Sequence, residues 1–162
     1  MLTIIMGNRP IHLYLVRHGE ARDGANDSQR SLTENGRQMA ERIASFLAKR
    51  HPYIDQIRHS GKKRAEETAQ IFTHHLSPSE GILSIPGLAP NDSVKAMAEI
   101  IEQETGNIIL VGHLPFLSRL ASLLLLNQSE KHFLHVSPCS VLFLSRYETA
   151  WELEWMLTPD LL

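Results

Sequence analysis

The stretch Leu13-Tyr14-Leu15-Val16-Arg17-His18-Gly19-Glu20-Ala21 decides how this chain folds. Four apolar or aromatic residues in succession predict a strand covered on both faces, because two-sided burial removes the alternation of a half-wet strand. The run stops abruptly at Arg17-His18-Gly19. A cation and an imidazole are costly at the end of a core strand unless something there uses them. Gly19 allows the backbone to turn sharply and to come close to a ligand. The same tripeptide is compatible with a plain polar turn in which His18 is solvated, so the rest of the chain has to arbitrate.

Outward from that strand the pattern alternates. A polar loop, 22–30, leads to Ser31-Leu32-Thr33-Glu34, which has capping-box spacing, with Thr33 itself an alternative cap. Met39, Ile43, Phe46 and Leu47 then form one helical stripe. Residues 53–57 are a strand candidate ending in the polar cluster 58–64. A helix follows over 65–76, then a short strand at 82–85. Asn91-Asp92-Ser93 offers an N-cap for a helix carrying Val94, Met97, Ile100 and Ile101. The apolar strand 107–111 also stops at a glycine and a histidine, Gly112-His113. Pro115 suits the first turn of a fourth helix reaching about Leu126. Stretches 140–144 and 151–156 predict a closing hairpin, with Trp151, Leu153 and Trp155 on one face and a wet opposite face. Repeated strand-helix units imply right-handed crossovers. The predicted fold is a three-layer α/β/α sandwich, its sheet mostly parallel with a C-terminal antiparallel hairpin strand, in a single domain over residues 1–162.

Composition narrows the function. At 162 residues with 43% hydrophobic and 21% charged residues, the chain can bury a core without metal or disulfide staples. A formal net charge of -2 provides no general basic field, so nucleic acid is not an expected partner. Cys139 is the one cysteine, set in an apolar run, and reads as a packed thiol in a reducing compartment. The apolar stretch 1–6 is too short for a signal-peptide core, and the fourth helix too short to cross a bilayer. A cytoplasmic protein with no membrane partner is expected. The nine histidines lack His-x-x-x-His spacing, so no metal is expected and most are assigned to the surface.

In an open parallel sheet the residues after each strand share one edge, where ligands bind. Arg17-His18-Gly19, the 60–64 segment and Gly112-His113 thereby converge although they are remote in sequence. Guanidinium forks match phosphoryl oxygens, and helix N-termini add amide groups and positive dipole. Those residues suit a phosphoryl dianion; a solvated basic edge without substrate is the competing reading.

Four segments, in order, resemble the motifs of the histidine phosphatase superfamily, whose members include phosphoglycerate mutase and acid phosphatases. They are Leu15-Val16-Arg17-His18-Gly19-Glu20-Ala21, Leu32-Thr33-x-x-Gly36, Arg64-Ala65-x-x-Thr68-Ala69 and Val111-Gly112-His113-x-Pro115. The short chain and terminal hairpin are most similar to its SixA branch, phosphohistidine phosphatases acting on phosphorelay proteins. That resemblance implies His18 as nucleophile, Arg17 and Arg64 as phosphate ligands, and His113 as a ligand that also stabilises the transferring group. It makes Arg30 a further candidate for the phosphate pocket, and it implies no cofactor. Two departures stand out. Ser60-Gly61 occupies the place where relatives usually carry Ser-Pro, and no residue clearly matches the proton-donating carboxylate of larger members. Glu20 and Asp92 are the nearest acidic candidates.

The expected reaction is in-line attack by neutral His18 on a phosphoryl group, followed by hydrolysis of the phosphorylated imidazole. The expected substrate is a phosphorylated protein of the histidine-containing phosphotransfer type. A small phosphorylated substrate, or a module that binds phosphoprotein without turnover, remains the alternative.

Overall fold

Residues Ile11–Arg17 form the first strand, β1. The other strands are β2 (Gln56–His59), β3 (Ile82–Ser84), β4 (Ile108–Gly112), β5 (Val141–Tyr147) and β6 (Ala150–Leu157). The helices are α1 (Glu34–Ala48), α2 (Lys63–Leu76), α3 (Val94–Glu102) and α4 (Phe116–Leu126). This computed structural model describes residues 9–162; the apolar stretch 1–6 lies outside the described residues. The six strands make one sheet of order β3-β2-β4-β1-β5-β6. The first four are mutually parallel, whereas β5 runs antiparallel to β1 and β6 antiparallel to β5.

Two-sided burial explains the apolar run in β1. Leu13 and Leu15 pack toward α3 and α4, among Met97, Ile101, Phe116 and Leu120. Tyr14 and Val16 face α1 and α2, among Ile43, Leu47, Ala69 and Phe72. Each successive side chain points to the opposite face, so a strand clad on both sides requires apolar residues throughout. The architecture is the three-layer sandwich with a C-terminal hairpin. Its helices start where the sequence places caps: Thr33 Oγ1 accepts from Gly36 N–H at 2.9 Å, and Ser93 Oγ from Ala96 N–H at 3.2 Å. Thr33, rather than Ser31, is the cap of α1.

Two local expectations are corrected. The second strand begins at Gln56, not at residue 53, and runs through Arg58 and His59. Tyr53 is 67% exposed, whereas the backbone of 56–59 pairs with β4 and that of 57–59 with β3. Two-sided ladder pairing satisfies those amides and overrides the polarity of the side chains. His59 is thus buried, not a surface residue. In the hairpin, the register shifts between Phe143 and Leu144, so that Phe143 faces Trp155 and Leu144 faces Leu153. The extra residue reverses the phase of the strand. Trp151 therefore packs with the α3–α4 face and Trp155 with the α1–α2 face, while Leu153 is 39% exposed.

Candidate active site

Parallel pairing of β1 with β4, and of β4 with β2, brings their C-terminal ends to one edge. His18 N–H donates to Gly112 O at 3.1 Å, and Gly19 N–H donates to Thr68 Oγ1 at 3.0 Å. A Cβ at Gly19 would lie 2.9 Å from Gly36 O, 3.0 Å from Leu32 and 3.1 Å from Cys139 Sγ, so no side chain fits. The turn after β1 is pressed from three sides, and its histidine is held in place. Cys139 is part of that wall: burial pushes its thiol up to about 12, which keeps it neutral and packed.

The geometry sets the tautomer of His18. Its Nδ1 lies 2.7 Å from Gly19 O. A carbonyl oxygen only accepts, so Nδ1 carries the proton and Nε2 bears the lone pair. Arg64 Nε–H points at that Nε2 from 3.3 Å. Burial, opposed by the Gly19 bond and reinforced by Arg64, Arg17 and Arg30, lowers the His18 pKa to about 4. The ring is consequently neutral at pH 7, with its free nitrogen among cations.

His113 stands across from it, the ring centroids 4.8 Å apart. Its Nε2 lies 2.6 Å from Ser60 Oγ, and its Nδ1 is buried with no partner among the described residues. Burial, followed by the charges of His18, Arg64 and Lys62, lowers its pKa to about 3. Arg17 Nη1 donates to Val136 O at 2.7 Å, leaving Nε buried and unpaired among the described residues. The helices that follow β2 and β4 begin without a side-chain cap, unlike α1 and α3. Their first amides and dipoles add positive potential at the same edge.

Of the sequence-predicted residues, His18, His113 and Arg64 are therefore adjacent, and Arg17 is near enough for its charge to depress His18. Arg30 also acts on His18 through its charge. Its donors, however, go to its own loop: Arg22 O at 2.7 Å, Asp27 at 3.3 Å and Asp23 at 3.8 Å. Neither acidic candidate enters the cluster. Glu20 accepts from Thr33 Oγ1 at 2.7 Å and Asn35 Nδ2 at 3.1 Å, tying it to the start of α1. Asp92 accepts from Ala89 N–H at 2.8 Å within its own turn.

Sequence reading missed Asp27 and Lys62. Asp27 opens a short 3-10 turn, Asp27–Gln29, capped by Asn26. Its carboxylate takes Lys62 Nζ at 2.6 Å and Arg64 Nη2 at 3.2 Å, and its carbonyl takes Arg64 Nη1 at 2.7 Å. The available signal was an acid three residues before Arg30 in a loop beside basic strand ends. Among the described residues no group of His, Cys, Asp and Glu is arranged to hold a metal ion, and no helix is long and apolar enough to cross a membrane. A pocket of about 1400 Å³ lies at the opposite sheet edge, lined by Tyr53, Asn107 and Arg146 among others and by none of the cluster residues.

Fold and site together define an α/β protein with a neutral, buried histidine set among arginines on the carboxyl edge of a parallel sheet. Comparison with known proteins agrees: the model of the histidine phosphatase superfamily (branch 1) matches residues 13–88. Over that segment, which carries Arg17, His18 and Arg64, the chain is similar to the histidine phosphatase superfamily. It is similar to the phosphohistidine phosphatase SixA of Escherichia coli (strain K12), with 26% identity over 117 residues, covering 69% of this chain and 73% of that one. The solved structure of the protein histidine phosphatase SixA complexed with tungstate superposes with a TM-score of 0.83 at 21% identity, over 93% and 98% of the two chains. A shorter match, 38% identical over 66 residues, joins 40% of this chain to 23% of the mitochondrial serine/threonine-protein phosphatase PGAM5 of Rattus norvegicus.

Proposed function

We propose that the protein is a phosphatase that hydrolyses phosphohistidine on a protein, through a phosphorylated His18. The observation that carries this reading is the fixed tautomer of His18, whose Nε2 lone pair is turned toward Arg64 while Nδ1 is spent on Gly19 O. Attack by Nε2 on the phosphorus forms the new P–N bond as the bond to the leaving group breaks. Arg17, Arg64 and neutral His113 face the charge on the equatorial oxygens, and positioning with charge stabilisation is most of what phosphoryl transfer requires. Water then attacks the phosphorus of phosphorylated His18, the P–N bond breaks with its electron pair returning to Nε2, and inorganic phosphate and neutral His18 are released.

The leaving group follows from the carboxylates. Glu20 and Asp92 are engaged elsewhere, and Asp27 is held well below the usual carboxylate range, first by Lys62 and then by Arg64. An ionised carboxylate cannot protonate a departing alkoxide. An imidazole leaving group has less need of that proton from the protein, because its second nitrogen takes one from solvent and the ring departs neutral. The similarity to SixA, a phosphohistidine phosphatase, supports the same substrate class.

Alkaline quenching of the enzyme during turnover of a labelled substrate tests the intermediate. The protein should carry base-stable, acid-labile phosphate, and His18→Ala should carry none. Label on serine or on a carboxylate overturns the assignment.

A further inference from the structure

Three cations converge on one loop carboxylate at the mouth of the site. Asp27 receives Lys62 Nζ at 2.6 Å, Arg64 Nη2 at 3.2 Å and Arg30 Nη1 at 3.3 Å. Arg64 itself is only 4% exposed. Its Nε faces the nucleophile, and both remaining nitrogens end on Asp27, one on the carboxylate and one on the carbonyl. Both terminal nitrogens of Arg64, and Lys62 Nζ, are thus engaged by Asp27 before a phosphoryl group reaches His18 Nε2.

The occupant is poorly anchored. The Asp27 side chain is 53% exposed, and residues 22–29 around it are exposed as well. Apart from its bonds to Lys62 and Arg64, the turn is held by contacts within its own loop, Asn26 Oδ1 accepting from Ser28 N–H at 3.2 Å and Ser28 Oγ at 2.8 Å. A carboxylate offers these cations one charge and two oxygens. A phosphoryl dianion offers more charge and three oxygens, in a geometry that suits guanidinium and ammonium donors together. Exchange between the two favours the dianion, whereas a monoanion gains little over Asp27.

We propose that the Asp27 carboxylate is the built-in counter-ion of this site, displaced when a phosphoryl dianion enters, with Lys62 and Arg64 passing from Asp27 to the phosphoryl oxygens. No covalent bond changes in the exchange. Asp27 is thereby a specificity-determining residue: it keeps the empty cations from collecting monoanions and weakens phosphate binding to a level that permits release. This inference rests on reading the site as a phosphate site.

The test is calorimetric titration with inorganic phosphate, and in parallel with acetate, at fixed ionic strength. Asp27→Asn and Asp27→Ala should each bind phosphate about tenfold more tightly than wild type, as expected for removal of one competing charge at a partly exposed site. Acetate binding, negligible in wild type, should become measurable in both. Adding Lys62→Met to Asp27→Asn should remove much of the gain, because the freed ammonium supplies part of it. Phosphate affinity that is unchanged or weakened in both Asp27 variants overturns the proposal, since Asp27 would then only position Arg64. Equal phosphate binding by wild type and Arg64→Ala would instead overturn the phosphate-site reading, and the proposal with it.

Discussion

At the scale of single residues, the proposed chemistry depends on keeping two imidazoles neutral beside cations. Burial is the largest influence on both, and it places His18 near 4 and His113 near 3. The neutral form of His18, which the proposed mechanism requires, therefore persists well below neutrality. kcat/KM corrected for substrate ionisation should stay level from pH 7 to pH 5 and fall only near pH 4. An acid limb near pH 6.5 that disappears in His113→Asn would contradict this. The same shifts act on stability. The unfolded chain takes up protons on these rings below about 6.5, while the folded protein resists until about 4 and 3. Stability is complete above pH 6.5 and declines as pH falls through that window. Denaturant midpoints for wild type and a His18→Gln variant should converge as pH drops from 7 to 4. Arg64→Ala removes the donor facing Nε2 and should lower turnover ~10²–10³-fold, the usual cost of losing one charge-stabilising group, with circular dichroism unchanged. Unaltered kinetics would mean that Arg64 does not reach the transferring group.

Secondary-structure elements do more than carry these residues. The first turn of α1 is locked onto the strand-end loop: Thr33 N–H donates to Glu20 O at 2.9 Å, and the Glu20 carboxylate accepts from Thr33 and Asn35. Gly36 is part of that joint. A Cβ there would sit 2.2 Å from Glu20 O and 2.8 Å from Glu20 N, both backbone atoms with no freedom to swing away. Gly36→Ala should thus push α1 off the loop that holds His18. Overpacking of this kind costs about 1–3 kcal/mol, so the urea midpoint should fall, and turnover should fall with it because the nucleophile's loop moves. A variant with full stability and full activity would show that α1 and this loop are independent.

For the whole molecule, the decisive property is which connections meet at the site. The connections that reach it are the loop before α1, the short turn between β2 and α2, the three residues between β4 and α4, and the segment before β5, whose Val136 carbonyl takes Arg17 and whose Cys139 packs against the turn after β1. The pocket of about 1400 Å³ lies at the far edge of the sheet. Under the proposed function, the positions of Glu20, Asp92 and Asp27 leave poor leaving groups without a dedicated acid. Acids of that kind contribute ~10²–10⁴-fold. In parallel assays with EDTA throughout, kcat/KM should rank a phosphohistidine peptide first, an aryl phosphate second and a sugar phosphate last. A sugar phosphate that equals the peptide would reveal a proton donor, with Glu20→Gln and Asp92→Asn the first variants to locate it.

Several features of this protein were written into its sequence. Leu13 to Val16 announce a strand buried on both sides, Met39 to Leu47 a helix with one core stripe, and Gly19 and Gly112 the strand ends that share an edge. Burial selects residue types locally, so periodicity records which face each side chain meets, and the parallel topology then brings His18 and His113 together. What lies between distant segments was decided only by the tertiary structure. Ladder pairing on both sides carried β2 through Arg58 and His59, and one bulge turned Trp155 to the face opposite Trp151. Likewise Glu20 was drawn to α1, while Asp27 reached Lys62 across 35 residues. Such pairings follow from how loops close over a finished sheet, and no periodicity in the chain encodes a contact between two exposed loops.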